Sequence, residues 1–416
     1  MLLSLAMGVP VRAAPLSRFH DPVVVPIARL DGIVGRDSAQ LRLYRLHAGQ
    51  WEAMPYQFDA RSADGELVVE GPADFRLDPD DELVFMAKDA GERSANGARP
   101  DGCDGAVEIE VAEPRGDGRA YAYLAAFATP PAVSFEPYVT YDAAAREARS
   151  AYYRVDYADG RNFFTGVRIP ESAGGNRANL LRQSRMRGSP TFSLLLADVT
   201  LDFTEQNSVV EIEGIRTGPV RSVRRVKLSV DLGPLFPELP SGTSYTYHYL
   251  TSYTTPTRVK FPWVMLHTLR DFRFENVLDF QPDAMPLRYH DADHPEGIAL
   301  SPGKPFEVRT TDDHDWWVHS GRAGTMLHAM VIPQQWRDWG VVRGTVVRSG
   351  AGDDRAAGEE AAAGYTLLNM TSLREAGAYD LLMASVVLPG GYNAGDESGP
   401  MAMLEQPLVV SSHRMP

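Results

Sequence analysis

From His20 to about Pro130 the chain alternates short apolar runs with turns: PVVVPIARL, AQLRLYRL, GELVVEG, DELVFMA, AVEIEVAE and AYAYLAAFA. Runs of about 4 to 8 residues, rich in β-branched and aromatic side chains and evenly spaced, predict antiparallel strands packed as a small sandwich. The segment 131–150 begins beside a proline pair and ends in an Ala, Glu and Arg mixture, which predicts an extended linker with a short helix. Longer runs fill 151–416, among them TFSLLLADVTLDF, SVVEIEGIRTG, VRRVKLSVDLG and SYTYHYLTSYTT. They predict a second, larger sheet system. Residues 349–364, SGAGDDRAAGEEAAAG, lack aromatic side chains and predict a mobile loop. The runs after it, ending in PLVVSS, are expected to return to the second system, being too few to bury a core alone. The stretch GTMLHAMVIPQQWRDWG suggests one short helix. The expected fold is all-β: a small N-terminal antiparallel β-sandwich at 20–130, then a large β-sandwich or supersandwich.

Size agrees with this division, since 416 residues exceed the roughly 100 to 200 of one ordinary domain. The single cysteine, Cys103, excludes an intramolecular disulfide. At the start, a short apolar run leads to small residues around Ala13 and Ala14. Residues 1–19 therefore resemble the remnant of a secretory signal peptide, although no basic residue precedes Arg12. The expected location is periplasmic or secreted. No later run approaches the roughly 20 apolar residues of a membrane span. A formal charge of −14 disfavours nucleic acid, whose binding needs a concentrated cationic surface.

Candidate chemistry concentrates between Tyr245 and Arg337, which hold seven of the ten histidines. In RYHDADHPEG, His290, Asp291, Asp293 and His294 are suitable ligands for zinc or another divalent metal. Pro295 and Gly297 oppose a helix there, so a solvated turn fits the same residues. In TTDDHDWWVHSG, carboxylates surround His314, which suits acid/base work. If DWWVHSG is a strand, Trp317 and His319 share one face and Trp316 takes the other, toward the core. An aromatic ring beside an imidazole and an acid suits a sugar; a buried tryptophan next to an acidic turn is the plainer alternative. Tyr245, Tyr247 and Tyr249 alternate along one strand, as a binding platform or as ordinary packing. Arg225 and Lys227 fall on one strand face, which can neutralise a uronate or simply meet solvent. Asp78, Asp80, Asp81 and Glu82 form an acidic turn that could hold calcium, without the EF-hand spacing. There is no Walker A loop, no G-x-G-x-x-G, no H-E-x-x-H and no G-x-S-x-G elbow.

Two phrases, GQWEAMPYQFDARSADG followed by DPDDELVFMAKDAG, and IEGIRTGPVRSVRRVKL, resemble exported bacterial β-proteins related to pectin-degrading lyases and the sugar-binding supersandwich fold. The resemblance implies a small sandwich before a large double sheet, and carbohydrate as the ligand. It assigns no catalytic residue.

The leading expectation is an exported protein that binds or processes carbohydrate, including an acidic polysaccharide. If it is a lyase, His314, His319 or Tyr247 would be the base and Arg225 or Arg322 the neutraliser, with Tyr245, Tyr249 and Trp317 contacting substrate. The alternatives are a non-catalytic module with a cell-envelope protein partner, which predicts a bare edge strand or apolar patch, and a metal-dependent enzyme centred on His290 and His294.

Overall fold

The alternation emerges as five antiparallel sheets in the computed structural model, which describes residues 14–18, 20–72, 74–160, 163–193, 197–231, 242–301, 305–350 and 361–416. The expected signal-peptide segment, up to residue 13, and residues 351–360 of the expected loop lie outside the described residues. The loop's flanks are strand: Val342–Ser349 pairs with Ala361–Leu368. Two compact units divide the chain: one runs to Glu136 and takes up Ala402–Pro416, and the other is Pro137–Met401.

The first unit is a sandwich of a three-stranded and a five-stranded sheet among the described residues. Period-two alternation directs Val23 and Val25 inward, while Val24 between them is 36% exposed. Those valines join Leu41, Leu43, Phe85, Ile109, Val111 and Leu124 in one cluster spanning both sheets. The last strand, Val409–Arg414, pairs with Gly105–Ala112 and so belongs to this unit. The sequence reading placed it in the second system. A lone strand carries a face but no address, and here partly buried Val410 packs against the first unit's core.

In the second unit the expected linker contains a hairpin, Val139–Asp142 with Glu147–Ser150, in place of a short helix. The Ala-rich stretch is its turn: Asp142 Oδ1 accepts from the backbone N–H groups of Ala144 and Ala145, both at 2.9 Å. This is aspartate's usual way of closing a turn. A four-, a seven- and a nine-stranded sheet make up the unit among the described residues. One core joins all three, from Val155 and Val167 through Phe280 and Tyr365 to Trp317 and Met326. The Gln334–Asp338 helix lies in the stretch expected to hold one. No described helix is long and apolar enough to cross a membrane.

Register in the nine-stranded sheet sets up the chemistry. Ser222 pairs with His248, His248 with Tyr253, Tyr253 with Ser385, Ser385 with His328, and His328 with Trp317. Directly opposed residues share a face, so a row of polar and aromatic side chains crosses six strands, every member of it buried.

Candidate functional site

The strand Trp316–Gly321 alternates as expected, but its faces are reversed relative to the sequence reading. Trp317 and His319 point into the core at 1% exposure each, whereas Trp316 and Ser320 are half-buried. Burial decides this, because the Trp317 side stacks on His328 at 4.2 Å and on Tyr289 at 5.8 Å. His319 Nδ1 lies 3.0 Å from His328 Nε2, and His328 Nδ1 lies 2.9 Å from Ser385 Oγ. Burial and the neighbouring His290 push His319 down to about 3, and burial with His319 pushes His328 well below its ordinary value. Enclosed and neutral, His319 and Trp317 are packed protein and do not line a cleft.

The tyrosine ladder forms, with Tyr245 and Tyr247 stacked at 5.9 Å and Tyr247 and Tyr249 at 6.4 Å. Its faces are covered by cations: Arg221 lies 4.7 Å from the Tyr247 ring and bonds Tyr249 Oη at 2.9 Å, and Arg225 lies 5.6 Å from Tyr245. Tyr247 is 8% exposed, and four strands separate its strand from Leu287–His290. It therefore does not join the histidines. Arg225 and Lys227 both pair with Glu213, at 2.7 and 2.6 Å, which commits Arg225 as a structural charge. Arg322 is exposed just beyond the Trp316–Gly321 strand.

His290, Asp291, Asp293, His294 and His314 do come together. The centre is Asp291, fully buried. Its Oδ2 accepts from Tyr289 Oη at 2.7 Å, and its Oδ1 accepts from the backbone N–H groups of Asp293 at 3.0 Å and His294 at 2.8 Å. His294 Nδ1 also lies 2.8 Å from Oδ1. Burial alone would raise this carboxyl's pKa; the hydrogen bonds from Tyr289 and His294 override it and hold the pKa below the ordinary value. His314 Nδ1 is 3.7 Å from Asp291 Oδ2, and its Nε2 is 3.2 Å from Asp293 Oδ2. Asp313, from the same acidic turn, is held by Arg343 through two 2.7 Å bonds.

His290, on the outer face, places Nδ1 2.9 Å from the Pro295 carbonyl and Nε2 2.8 Å from Ser320 Oγ. Burial lowers its pKa. Gly297 makes this possible: it sits at φ 81°, and a Cβ there would be 2.5 Å from His290 Cε1. Half-buried Tyr392 packs 4.7 Å from His290 and 6.2 Å from Trp316, its hydroxyl donating to Glu397 at 3.0 Å.

Asp291, Asp293, His294 and His314 contact one another, while His290 turns to the Pro295 carbonyl and Ser320. Among the described residues no group of three or more His, Cys, Asp or Glu is disposed to hold a metal ion. The zinc reading of His290, Asp291, Asp293 and His294 and the calcium reading of the acidic turn therefore have no ligand set. In that turn Asp81 accepts from the backbone N–H groups of Asp78 and Arg61, and Glu82 pairs with Arg61 at 2.6 Å. The sequence pattern sends Trp316 to the core and singles out none of Ser320, Tyr392 and Arg288, which the structure gathers around His290. Tyr392 lies about 100 residues from His290, and only the cross-strand register brings Ser320 opposite Arg288.

No family model matches the chain, and no curated protein does. Among solved structures it is similar to a glycosyl hydrolase family 38 protein from Enterococcus faecalis, with TM-score 0.48 and 8% identity over 96% of this chain and 46% of that one. It is also similar to an α-mannosidase from Enterococcus faecalis V583, with TM-score 0.49 and 10% identity over 97% of this chain and 46% of that one. A third, a mutarotase-type protein from Salmonella typhimurium, has TM-score 0.28 and 8% identity over 63% of this chain and 97% of that one. The chain spans less than half the length of the first two. None of the three is a pectin-lyase relative, and the all-β assignment rests on the sheets described above.

Proposed function

We propose that this chain binds or processes a carbohydrate at the surface around Trp316 and Tyr392 and the neighbouring loop of Asp293 and His294. One observation carries the reading: a buried carboxylate, Asp291, holds Nδ1 of a partly exposed imidazole, His294, at 2.8 Å. An ionised carboxylate only accepts, so His294 Nδ1 carries the proton and Nε2 is the nitrogen left outside this bond. Asp291 here is a positioning residue. The half-buried Trp316 and Tyr392 rings offer apolar faces of the kind that pack on a sugar's C–H surface, beside carboxylates able to accept from its hydroxyls.

The preferred ligand is a neutral sugar. Asp293 and Glu296 flank the site and are exposed, so a uronate would meet like charge there, and the nearby Arg288 guanidinium is already held by the carbonyls of Glu296 and Gly297. A glycan array read with the wild type, Trp316→Ala and His294→Ala tests this. Loss of binding in Trp316→Ala is expected; identical profiles in all three proteins would remove this face from the function.

A second reading, docking of an envelope protein by strand addition, is favoured by the ten-residue Ser208–Thr217 strand. It lies at an edge of the nine-stranded sheet among the described residues, with Val209 55% and Ile212 43% exposed. Val209→Lys would abolish such docking and leave glycan binding intact.

A further inference from the structure

The hydrogen bonds of His290 settle the proton positions around Ser320. The Pro295 carbonyl oxygen has no proton to give, so the Nδ1 that contacts it at 2.9 Å is the protonated nitrogen. Burial disfavours the charged form of the ring, and in the neutral ring the second nitrogen carries the lone pair. Its lone pair is then on Nε2, and Ser320 Oγ, 2.8 Å away, donates its hydroxyl proton there. A hydroxyl bonded to a base that is itself oriented by a third group is the arrangement of an activated nucleophile, with a backbone carbonyl in the orienting position.

Three further features place this pair for chemistry. Ser320 is half-buried and so reachable, whereas His290 is 5% exposed. Arg288 is directly opposite Ser320 in the ladder and on the same face, and its guanidinium is held by the carbonyls of Glu296 and Gly297 at 2.7 to 3.2 Å. The Gly297 turn closes on the His290 ring so tightly that no side chain fits between them.

We propose that Ser320 and His290 are a serine nucleophile and its general base for acyl transfer, hydrolysing an ester of an O-acylated sugar; the sugar part rests on the carbohydrate reading above. Ser320 Oγ attacks the ester carbonyl carbon while its proton passes to His290 Nε2. The negative charge on the tetrahedral oxygen develops beside Arg288. The bond to the alcohol oxygen breaks, and that oxygen takes the proton from Nε2. Water then attacks the acyl-Ser320 ester and gives its proton to His290, and Ser320 Oγ recovers it as the carboxylic acid leaves. No G-x-S-x-G elbow is involved, because the serine sits on a strand.

The test uses the full chain with a fluorophosphonate probe located by peptide mass, p-nitrophenyl acetate turnover, and the glycan array in parallel. Labelling of Ser320 is expected in the wild type, with a loss of at least ~100-fold in both labelling and turnover in Ser320→Ala and His290→Asn. Ser320→Ala removes one oxygen from a half-buried position, so it keeps the test decisive if His290→Asn fails to fold. No labelling of the wild type, labelling elsewhere, or wild-type turnover in Ser320→Ala overturns the nucleophile, and retained glycan binding in those cases leaves the carbohydrate reading standing. Labelling of Ser320 by a protein that binds no glycan upholds the nucleophile and overturns the sugar as substrate.

Discussion

Removing the carboxylate of Asp291 tests the centre of the site most sharply. Asp291→Ala deprives five donors of an acceptor: Tyr289 Oη, His294 Nδ1, the backbone N–H groups of Asp293 and His294, and Thr345 Oγ1, which keeps Thr310 Oγ1 as a second partner. Tyr289 is 1% exposed, so its hydroxyl stays dry and unsatisfied, at a cost of about 1 to 3 kcal/mol. His294 Nδ1 and the two backbone groups sit in a partly exposed loop that water can enter, so each loses a net ~0.5 to 1.5 kcal/mol. The expected destabilisation is roughly 2.5 to 7.5 kcal/mol. Urea unfolding followed by tryptophan fluorescence measures it, since Trp317 stacks on Tyr289. Tyr289→Phe supplies the discriminating control. In the wild type it removes a bond to a buried carboxylate and costs about 1.5 to 3 kcal/mol; in the Asp291→Ala background it removes only an orphaned hydroxyl and becomes neutral or stabilising. If Tyr289→Phe costs the same in both backgrounds, or if Asp291→Ala costs less than about 1 kcal/mol, the hub described here does not exist.

The remaining predictions separate packing from function. Trp317→Ala empties a core position and costs about 3 to 5 kcal/mol in chemical denaturation without altering glycan specificity, whereas Trp316→Ala does the opposite; a reversal would restore the original assignment of faces. Gly297→Ala forces a Cβ into His290 at positive φ, so loss of phosphonate labelling together with destabilisation above ~1 kcal/mol is expected, and wild-type labelling would refute the tight turn. His248, like His319, has a folded pKa of about 3, driven down by burial and then by Arg224. The unfolded chain takes up protons below its ordinary 6.5 while the folded chain does not, so this stability is complete above pH 6.5 and is lost as pH falls toward 3. Each imidazole contributes a slope approaching 1.4 kcal/mol per pH unit in that window. A Tm that is flat from pH 6.5 to 4 would contradict buried neutral histidines.

The sequence by itself determined the all-β class, because strand periodicity is a local property: Val23 and Val25 face inward and Val24 outward as their alternation requires. It also drew attention to the stretch from Tyr245 to Arg337, where seven of the ten histidines fall, and the structure brings Asp291, Asp293, His294 and His314 of that stretch together while leaving Tyr247 apart. Alternation in WWVHSG correctly separated Trp316 from Trp317, but could not say which face was inside. That choice belongs to whichever side finds partners, and His328 and Tyr289 supply them. Likewise, four close acidic and imidazole side chains suit a metal on paper. Only the tertiary structure decided that Asp291 spends its lone pairs on Tyr289, His294 and backbone amides. The pairing of Ser320 with His290 is a matter of register between strands 30 positions apart, set by the burial of Leu287, Tyr289, Trp317 and His319 on the opposite face. The final strand's place in the first unit has the same cause: a strand's pattern encodes which side chains to bury, and long-range packing alone selects the edge on which it buries them.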